Sequence, residues 1–546
     1  MHVFAAVLAL TVSIQIIPNT NDGRWTAVYR LSQPVERLDF SRYGPYKRLP
    51  KWRVETKGYT LVAEDEREAI VKAPGAKAQK TITVSFPVDT DVPVKDYQLF
   101  DPFSDGGVAL YTGHFNLKGS KSTTFELAPR RGEHLLVGGK VFNRRTRWTD
   151  DGRGEGTFVY YGKVKPVETP YMVGILDPGA PKWLDERLDA TLPQLFADYA
   201  RLTGVTLAQR PTVLFSFEKA RDPHSTTWKG GTLDGLIQLH VEAAADGAED
   251  RGVLERFVKF IAHESAHLWN GQMFQAPEAN QSWMHEGGAD AFAWRAVRRA
   301  RILDDAGLES RLTEDLNDCL SSIGTHALDD VEKRGDFGPV YSCGATLAWL
   351  TEAATGDLHA FWKSLFSAAE EHGRRYDESL YLSVLKQQER VPGTAAFIDD
   401  FVHHDMPDRA EKLAAAFRAA GVPVRPMPDA IPPRQRRVWG EAALSELMRQ
   451  DCHRVSFDRA SGRYQVHGKD TCATLKSDLF IDRIEGKSIA REGDAAYDAA
   501  AEKCAAHEAV TLEGPDDVKV SVPCAKALDV RTPWFGIARP TTGDRR

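Results

Sequence analysis

The spacing of apolar side chains changes character along the chain. Between 24 and 165, stretches at 25–31, 81–86, 108–115 and 156–164 alternate or cluster β-branched and aromatic residues, punctuated by Gly, Pro, Asp and Asn. That pattern predicts short strands joined by turns, and so a β-sandwich or saddle domain over 24–165. Near 183 the period lengthens: Leu184, Leu188, Leu192, Leu195, Phe196 and Tyr199 recur at helical spacing. Residues 211–217 and 236–241 read as two short strands, with a loop from His224 to Gly231 ahead of the second. Leu254, Phe257, Val258, Phe260 and Ile261 then predict a buried helix, and helical patterning continues to about 420. The expected architecture is multidomain α+β, with an α/β domain and a helical lobe over 170–420. Residues 421–437 hold five prolines and no helical period, which predicts a semi-rigid linker. Residues 438–546 read as a small C-terminal α/β accessory domain with one Ala-rich helix near 494–506.

The first apolar run, 3–17, is 15 residues long. A membrane-spanning helix needs about 20, so no stable transmembrane span is expected. The run fits the apolar part of an export signal, assigned here to 1–22; a buried first strand is the alternative. The chain has 546 residues with 42% hydrophobic and 27% charged, the composition of an ordinary globular protein. Its 70 basic and 77 acidic side chains give a net charge of −7, with no electrostatic footprint for nucleic acid. All six cysteines lie in the second half, and none forms a C-x-x-C pair. An even count in an exported chain, periplasmic or secreted, suggests disulfides, although six cysteines allow many pairings. Pairing of neighbours would give 319–343, 452–472 and 504–524; six buried free thiols are the other reading.

The chemistry concentrates in His263-Glu264-Ser265-Ala266-His267. On a helix His263 and His267 lie one turn apart on one face, where two imidazoles meet one Zn²⁺ at about 2.0–2.1 Å. Glu264, one position on, sits near the metal without being a ligand, so it is placed to take a proton from water. A catalytic zinc needs a third protein ligand and an open position. Glu286 follows His267 after 18 intervening residues and opens a second apolar helix. Asp290, four positions later on the same face, is the expected acceptor for the outer N–H of a ligand histidine. Chance rarely produces this constellation, and the resulting His₂Glu site is hydrolytic.

H-E-x-x-H, 18 residues, then Glu-Gly resembles the gluzincin metallopeptidases. Two groups share it: the membrane alanyl-aminopeptidase and leukotriene-hydrolase type, and the glycyl aminopeptidases with a PDZ domain. His267-Leu268-Trp269-Asn270 resembles the run after the zinc motif in the glycyl group. The resemblance covers about 180–420 and implies a thermolysin-like catalytic domain, one Zn²⁺ on His263, His267 and Glu286, and Glu264 as general base. It also implies an oxyanion donor, matched by Tyr341 in Tyr341-Ser342-Cys343-Gly344, 55 residues after Glu286. The family's Gly-x-Met-Glu-Asn loop matches Gly230-Gly231-Thr232-Leu233-Asp234, ahead of an edge strand starting at Leu236. Gly230, Gly231, Asp234 and Leu236 are thus the expected substrate contacts. Leu233 stands where the family's amine-anchoring Glu belongs, and an apolar side chain does not pair with an ammonium. Residues 479–487, with the helix and strands expected after them, resemble a PDZ-like order of elements. The implied function is hydrolysis of peptides or proteins through a zinc-activated water, aminopeptidase-like. An endopeptidase or unusual exopeptidase, and a non-catalytic zinc-containing peptide-binding protein, are the alternatives.

Overall fold

A computed structural model describes residues 10–537, except 20–22, 43–45, 65–66, 92–95, 151–154, 221–226, 244–249, 276–280, 334–335, 429–430, 454, 461–462, 516 and 530. Helices and several sheets are mixed along the chain. Contacts group the residues into two compact units, Met1–Asp198 with Thr206–Leu254, and Tyr199–Val205 with Glu255–Arg546.

The first unit is built on three larger sheets. One has six strands in the order Thr146–Asp150, Ser120–Leu127, Leu10–Ile17, Arg24–Val35, Gln79–Pro87 and Arg53–Val54. Part of the stretch 1–22 assigned to an export signal forms a strand, the alternative reading. Leu10–Ile17 pairs parallel with Ser120–Leu127 and antiparallel with Arg24–Val35. Val12, Ile14 and Ile16 are at most 2% exposed and pack with Trp25, Tyr29 and Phe125. Burial at alternate positions is the signature of a strand. Each such side chain contributes about 1.5–3 kcal/mol to the packing of this sheet. Residues 1–9 lie outside the described part.

A second sheet holds five strands around Phe158–Gly162. The third runs Val167–Glu168, Val173–Leu176, Thr212–Lys219, Leu236–Ala243, Thr227–Leu233. The expected edge strand is therefore misplaced. Thr227–Leu233 is the edge, while Leu236–Ala243 lies between it and Thr212–Lys219. The cause is local. Asp234-Gly235 makes a two-residue hairpin loop in which Gly235 takes φ 64°, turning the glycine stretch into a strand rather than a loop.

The second unit is mostly helical. It holds most of helix Arg251–His267, followed by Ser282–Arg299, Asp305–Ile323, Leu328–Lys333, Gly338–Thr355 and further helices to Arg409–Ala419. The proline-rich stretch does not run free. Val424–Pro426 pairs with Phe535–Ile537, and Pro433 opens helix Pro433–Cys452. Proline is at home in a first helical turn, where its missing N–H is not needed. Arg434 Nη1 donates to Asp318 Oδ1 (2.6 Å), and Asn317 exchanges hydrogen bonds with the Phe535 backbone (2.9 and 2.8 Å). The C-terminal part of the chain keeps a core of its own around Trp439, Leu447, Tyr464, Ile481 and Leu512. Disulfides join Cys319–Cys343, Cys452–Cys472 and Cys504–Cys524, the neighbour pairing. Three disulfides fit an extracytoplasmic protein. Among the described residues no helix is long and apolar enough to cross a membrane.

Candidate functional site

Helix Arg251–His267 buries Leu254, Phe257, Val258, Ile261 and Ala262 in the protein interior. This fixes its rotation and aligns His263 and His267, 6% and 9% exposed, on one side. Their Nε2 atoms lie 3.0 Å apart. Glu286, in helix Ser282–Arg299, brings Oε2 to 3.2 Å from His263 Nε2 and 3.4 Å from His267 Nε2. Asp290, one turn further along, accepts from His263 Nδ1 (2.6 Å) and is ion-paired with Lys259.

The helix does not end at His267. A π-helical turn, Leu268–Met273, follows, in which Phe274 N–H donates to Trp269 O. The wider turn lets Asn270 serve three neighbours. Its Oδ1 accepts from His267 Nδ1 (3.2 Å), its Nδ2 donates to His285 O (2.8 Å), and its carbonyl accepts from Tyr376 (2.6 Å).

These contacts set what the centre could hold. With both Nδ1 atoms donating outward, both Nε2 atoms present lone pairs inward. Glu286 Oε2 joins them, buried and without a hydrogen-bond partner. Three electron-rich atoms at one point repel unless a cation lies among them. A tetrahedral zinc with bonds of about 2.0–2.1 Å sets its ligand atoms about 3.3 Å apart, close to the separations found. The titration tendencies agree. Burial lowers the affinity of His263 for a proton, but Asp290 and Glu286 outweigh it and raise its pKa to about 9. Burial would raise Asp290, yet Lys259 and His263 hold it at about 2. Burial also opposes ionisation of Glu286, and the two histidines keep it below the usual carboxylate range. Positive charge is drawn to this point, whether as proton or metal.

No family model and no curated protein matches the sequence. Solved structures do. An aminopeptidase N family protein from Idiomarina loihiensis is similar over 97% of this chain and 98% of its own, with TM-score 0.60 and 13% identity. An M1 zinc metallopeptidase from Deinococcus radiodurans, bound to a Tyr-Ser-Ala substrate, is similar over 73% of this chain and 95% of its own (TM-score 0.43, 13% identity). The chain has an aminopeptidase N fold.

In this aminopeptidase N fold, helix Gly338–Thr355 crosses the Glu286 helix at a pair of glycines. A Cβ on Gly287 would stand 2.2 Å from Gly344 backbone, and one on Gly344 would stand 2.2 Å from Trp283 O. The crossing sets Tyr341, three residues before Gly344, near Glu286, one before Gly287. The Tyr341 ring is stacked 5.9 Å from that of His263 and is 38% exposed. Burial and the charge of Glu286 push its phenol above the ordinary range, so it stays a neutral donor. Glu264 is half-buried beside His263, and its charge reaches Tyr341.

His263, His267, Glu286, Asp290 and Tyr341 are thus brought together. The residues expected to hold substrate are placed differently. Gly230 and Gly231 lie within edge strand Thr227–Leu233, and Asp234 is in the hairpin turn. Leu236 is 2% exposed, paired with Thr212 and Leu233, and packed in the core with Val173, Leu214 and Leu233, so its side chain is buried among apolar neighbours. His224 lies outside the described residues. Arg295 is buried and ion-paired with Glu352. Sequence reasoning passed over Lys259, His285 and the Gly287–Gly344 crossing, and quoted Asn270 without a role. Lys259 did leave a signal, a cation one helical turn before His263.

Asp290→Asn removes the charge that orients His263 and leaves Lys259 without its partner. Zinc affinity is expected to fall by about 10–100-fold, measured by competition with a chromogenic chelator. Unchanged affinity would show that Asp290 does not support the ligand.

Proposed function

We propose that this protein is a zinc-dependent metallopeptidase that hydrolyses peptide bonds. The observation that carries the reading is the convergence of His263 Nε2, His267 Nε2 and Glu286 Oε2 on one point, with Glu264 and Tyr341 beside it. A zinc held there supplies positive charge that polarises a carbonyl and makes water more acidic. Glu264 accepts the proton of the attacking water and returns it to the departing amine. Tyr341 donates its O–H to the oxygen on which negative charge develops. Asp290 and Asn270 hold the two imidazoles in the tautomer that offers Nε2 inward.

The aminopeptidase N fold favours removal of N-terminal residues. One observation favours a second reading, an endopeptidase or unusual exopeptidase. Leu233 stands where the related loop carries its amine-binding Glu, and it is 2% exposed in the core of its unit. For the first unit we propose that the edge of Thr227–Leu233 accepts an extended peptide as an added strand. The three disulfides support export to the periplasm or beyond.

A panel of peptides with free and blocked N-termini, assayed with and without chelator, tests this. Zinc-restorable hydrolysis of free-amine peptides alone is expected for an aminopeptidase. Cleavage of blocked peptides would establish the endopeptidase. No turnover by zinc-loaded protein on either class would make the protein a binding module and overturn the proposal.

A further inference from the structure

One imidazole beside the metal centre is not among the three converging donors. His285 stands in the first turn of helix Ser282–Arg299, one position before Glu286. Its ring is stacked on that of His267, with centroids 4.1 Å apart and planes at 26°. On the π-helical turn it packs over Gly271, where a Cβ would stand 2.6 Å from His285 Cε1. The ring is therefore wedged between His267 and a backbone that leaves it room only because residue 271 has no side chain.

One end of the ring is spoken for. Nδ1 lies 3.1 Å from the Asn270 carbonyl, and a carbonyl only accepts, so Nδ1 carries the proton. Asn270 is itself fixed, by donation from its Nδ2 to the His285 carbonyl (2.8 Å) and by the Tyr376 hydroxyl (2.6 Å). An ordinary imidazole is neutral at neutral pH, which leaves Nε2 as a bare acceptor. Nε2 faces Glu286 Oε1 across 3.9 Å, beyond hydrogen-bond reach, and the two side chains are 19% and 21% exposed. Two acceptors facing each other across an accessible gap select a donor. A nitrogen placed about 2.8–3.0 Å from each fits between atoms 3.9 Å apart. The carboxylate favours a charged donor over a neutral one. An ammonium meets both conditions, whereas a carbonyl or carboxylate meets neither. Lys259, a cation on the neighbouring helix, is already paired with Asp290.

We propose that His285 is a substrate-binding residue whose Nε2 accepts a hydrogen bond from the α-ammonium of a peptide, with Glu286 Oε1 as the second acceptor. The inference rests on the peptidase reading of the same centre and narrows it to peptides with a free N-terminus. It gives the amine a partner that Leu233 does not supply.

The test reads binding apart from turnover. Zinc-loaded Glu264→Gln protein is titrated in a calorimeter with Ala-Ala-Ala and with its N-acetyl form. The free-amine peptide is expected to bind about tenfold or more tightly than the acetylated one. His285→Phe, added to this protein, keeps a ring against His267 but removes the acceptor; it is expected to abolish the preference with zinc content unchanged. His285→Gln keeps an acceptor and is expected to retain part of the preference. No preference in the parent, or an equal preference in the His285→Phe protein, would overturn the proposal. Loss of zinc from both His285 variants would also overturn it and leave His285 as a support for His267. A wild type that hydrolyses nothing, while its preference for the free amine still depends on His285, would sink the peptidase reading and leave the amine site standing.

Discussion

Glu264→Gln is expected to bind zinc as the wild type does and to lose turnover by about 10²–10⁴-fold. Gln has nearly the shape of Glu and keeps a carbonyl oxygen, but it accepts no proton at neutral pH. Glu264 is not among the three converging donor atoms, so the substitution leaves them in place. Metal content and kcat on a cleaved peptide are the two readings. Loss of zinc together with activity would mean that Glu264 belongs to the ligand set. Full activity with zinc retained would mean that another group takes the proton.

Gly287→Ala is the second large effect, and it follows from packing. The added methyl would stand 2.2 Å from Gly344 Cα and carbonyl carbon and 2.5 Å from Ala345 N. All three are backbone atoms, so no rotamer change relieves the clash and the two helices must part. Alanine is worth about 0.5–1 kcal/mol over glycine in a helix interior. Overpacking a tight contact costs about 1–3 kcal/mol and sometimes more, so the protein is destabilised. Function suffers further, because parting the helices separates Tyr341 from the histidines. A displacement of about 1 Å can cost about 10²-fold in rate. Gly338→Ala is the control. It sits at the start of the Tyr341 helix, and its Cβ would meet only Asp336 Oδ1, at 3.8 Å. Thermal melting and kcat/KM of the two variants decide. A Gly287→Ala protein that melts and turns over like Gly338→Ala would refute the role given to the crossing.

The two examples differ in how visible they were beforehand. Glu264 is read from five consecutive residues, because helix phase is a local property. The glycine crossing has no local signature; Gly287 and Gly344 matter only because their helices touch. The same division explains the errors. A run of Val and Ile at a chain start suits an export signal and a buried strand equally, and the pairing with Ser120–Leu127 and Arg24–Val35 is visible only in the fold. Leu236 follows a glycine-rich stretch in either topology. Whether its strand is an edge depends on Thr212–Lys219, which lies on its other side. Asn270 makes its three contacts from a π-helical turn, a departure from the regular period that no apolar spacing announces.

The sequence by itself determined the helix that carries His263, Glu264 and His267, and the carboxylates four residues apart at Glu286 and Asp290; the pairing of the six cysteines it left open. Both determined features depend on residues close together along the chain, where helix geometry leaves few choices. Only the tertiary structure decided that Glu286 reaches both imidazoles, that glycine backbones in contact bring Tyr341 to them, and that Leu10–Ile17 and Leu236–Ala243 lie inside sheets. Those outcomes are set by which distant surfaces bury each other, and burial between distant segments is not written in the period of either one.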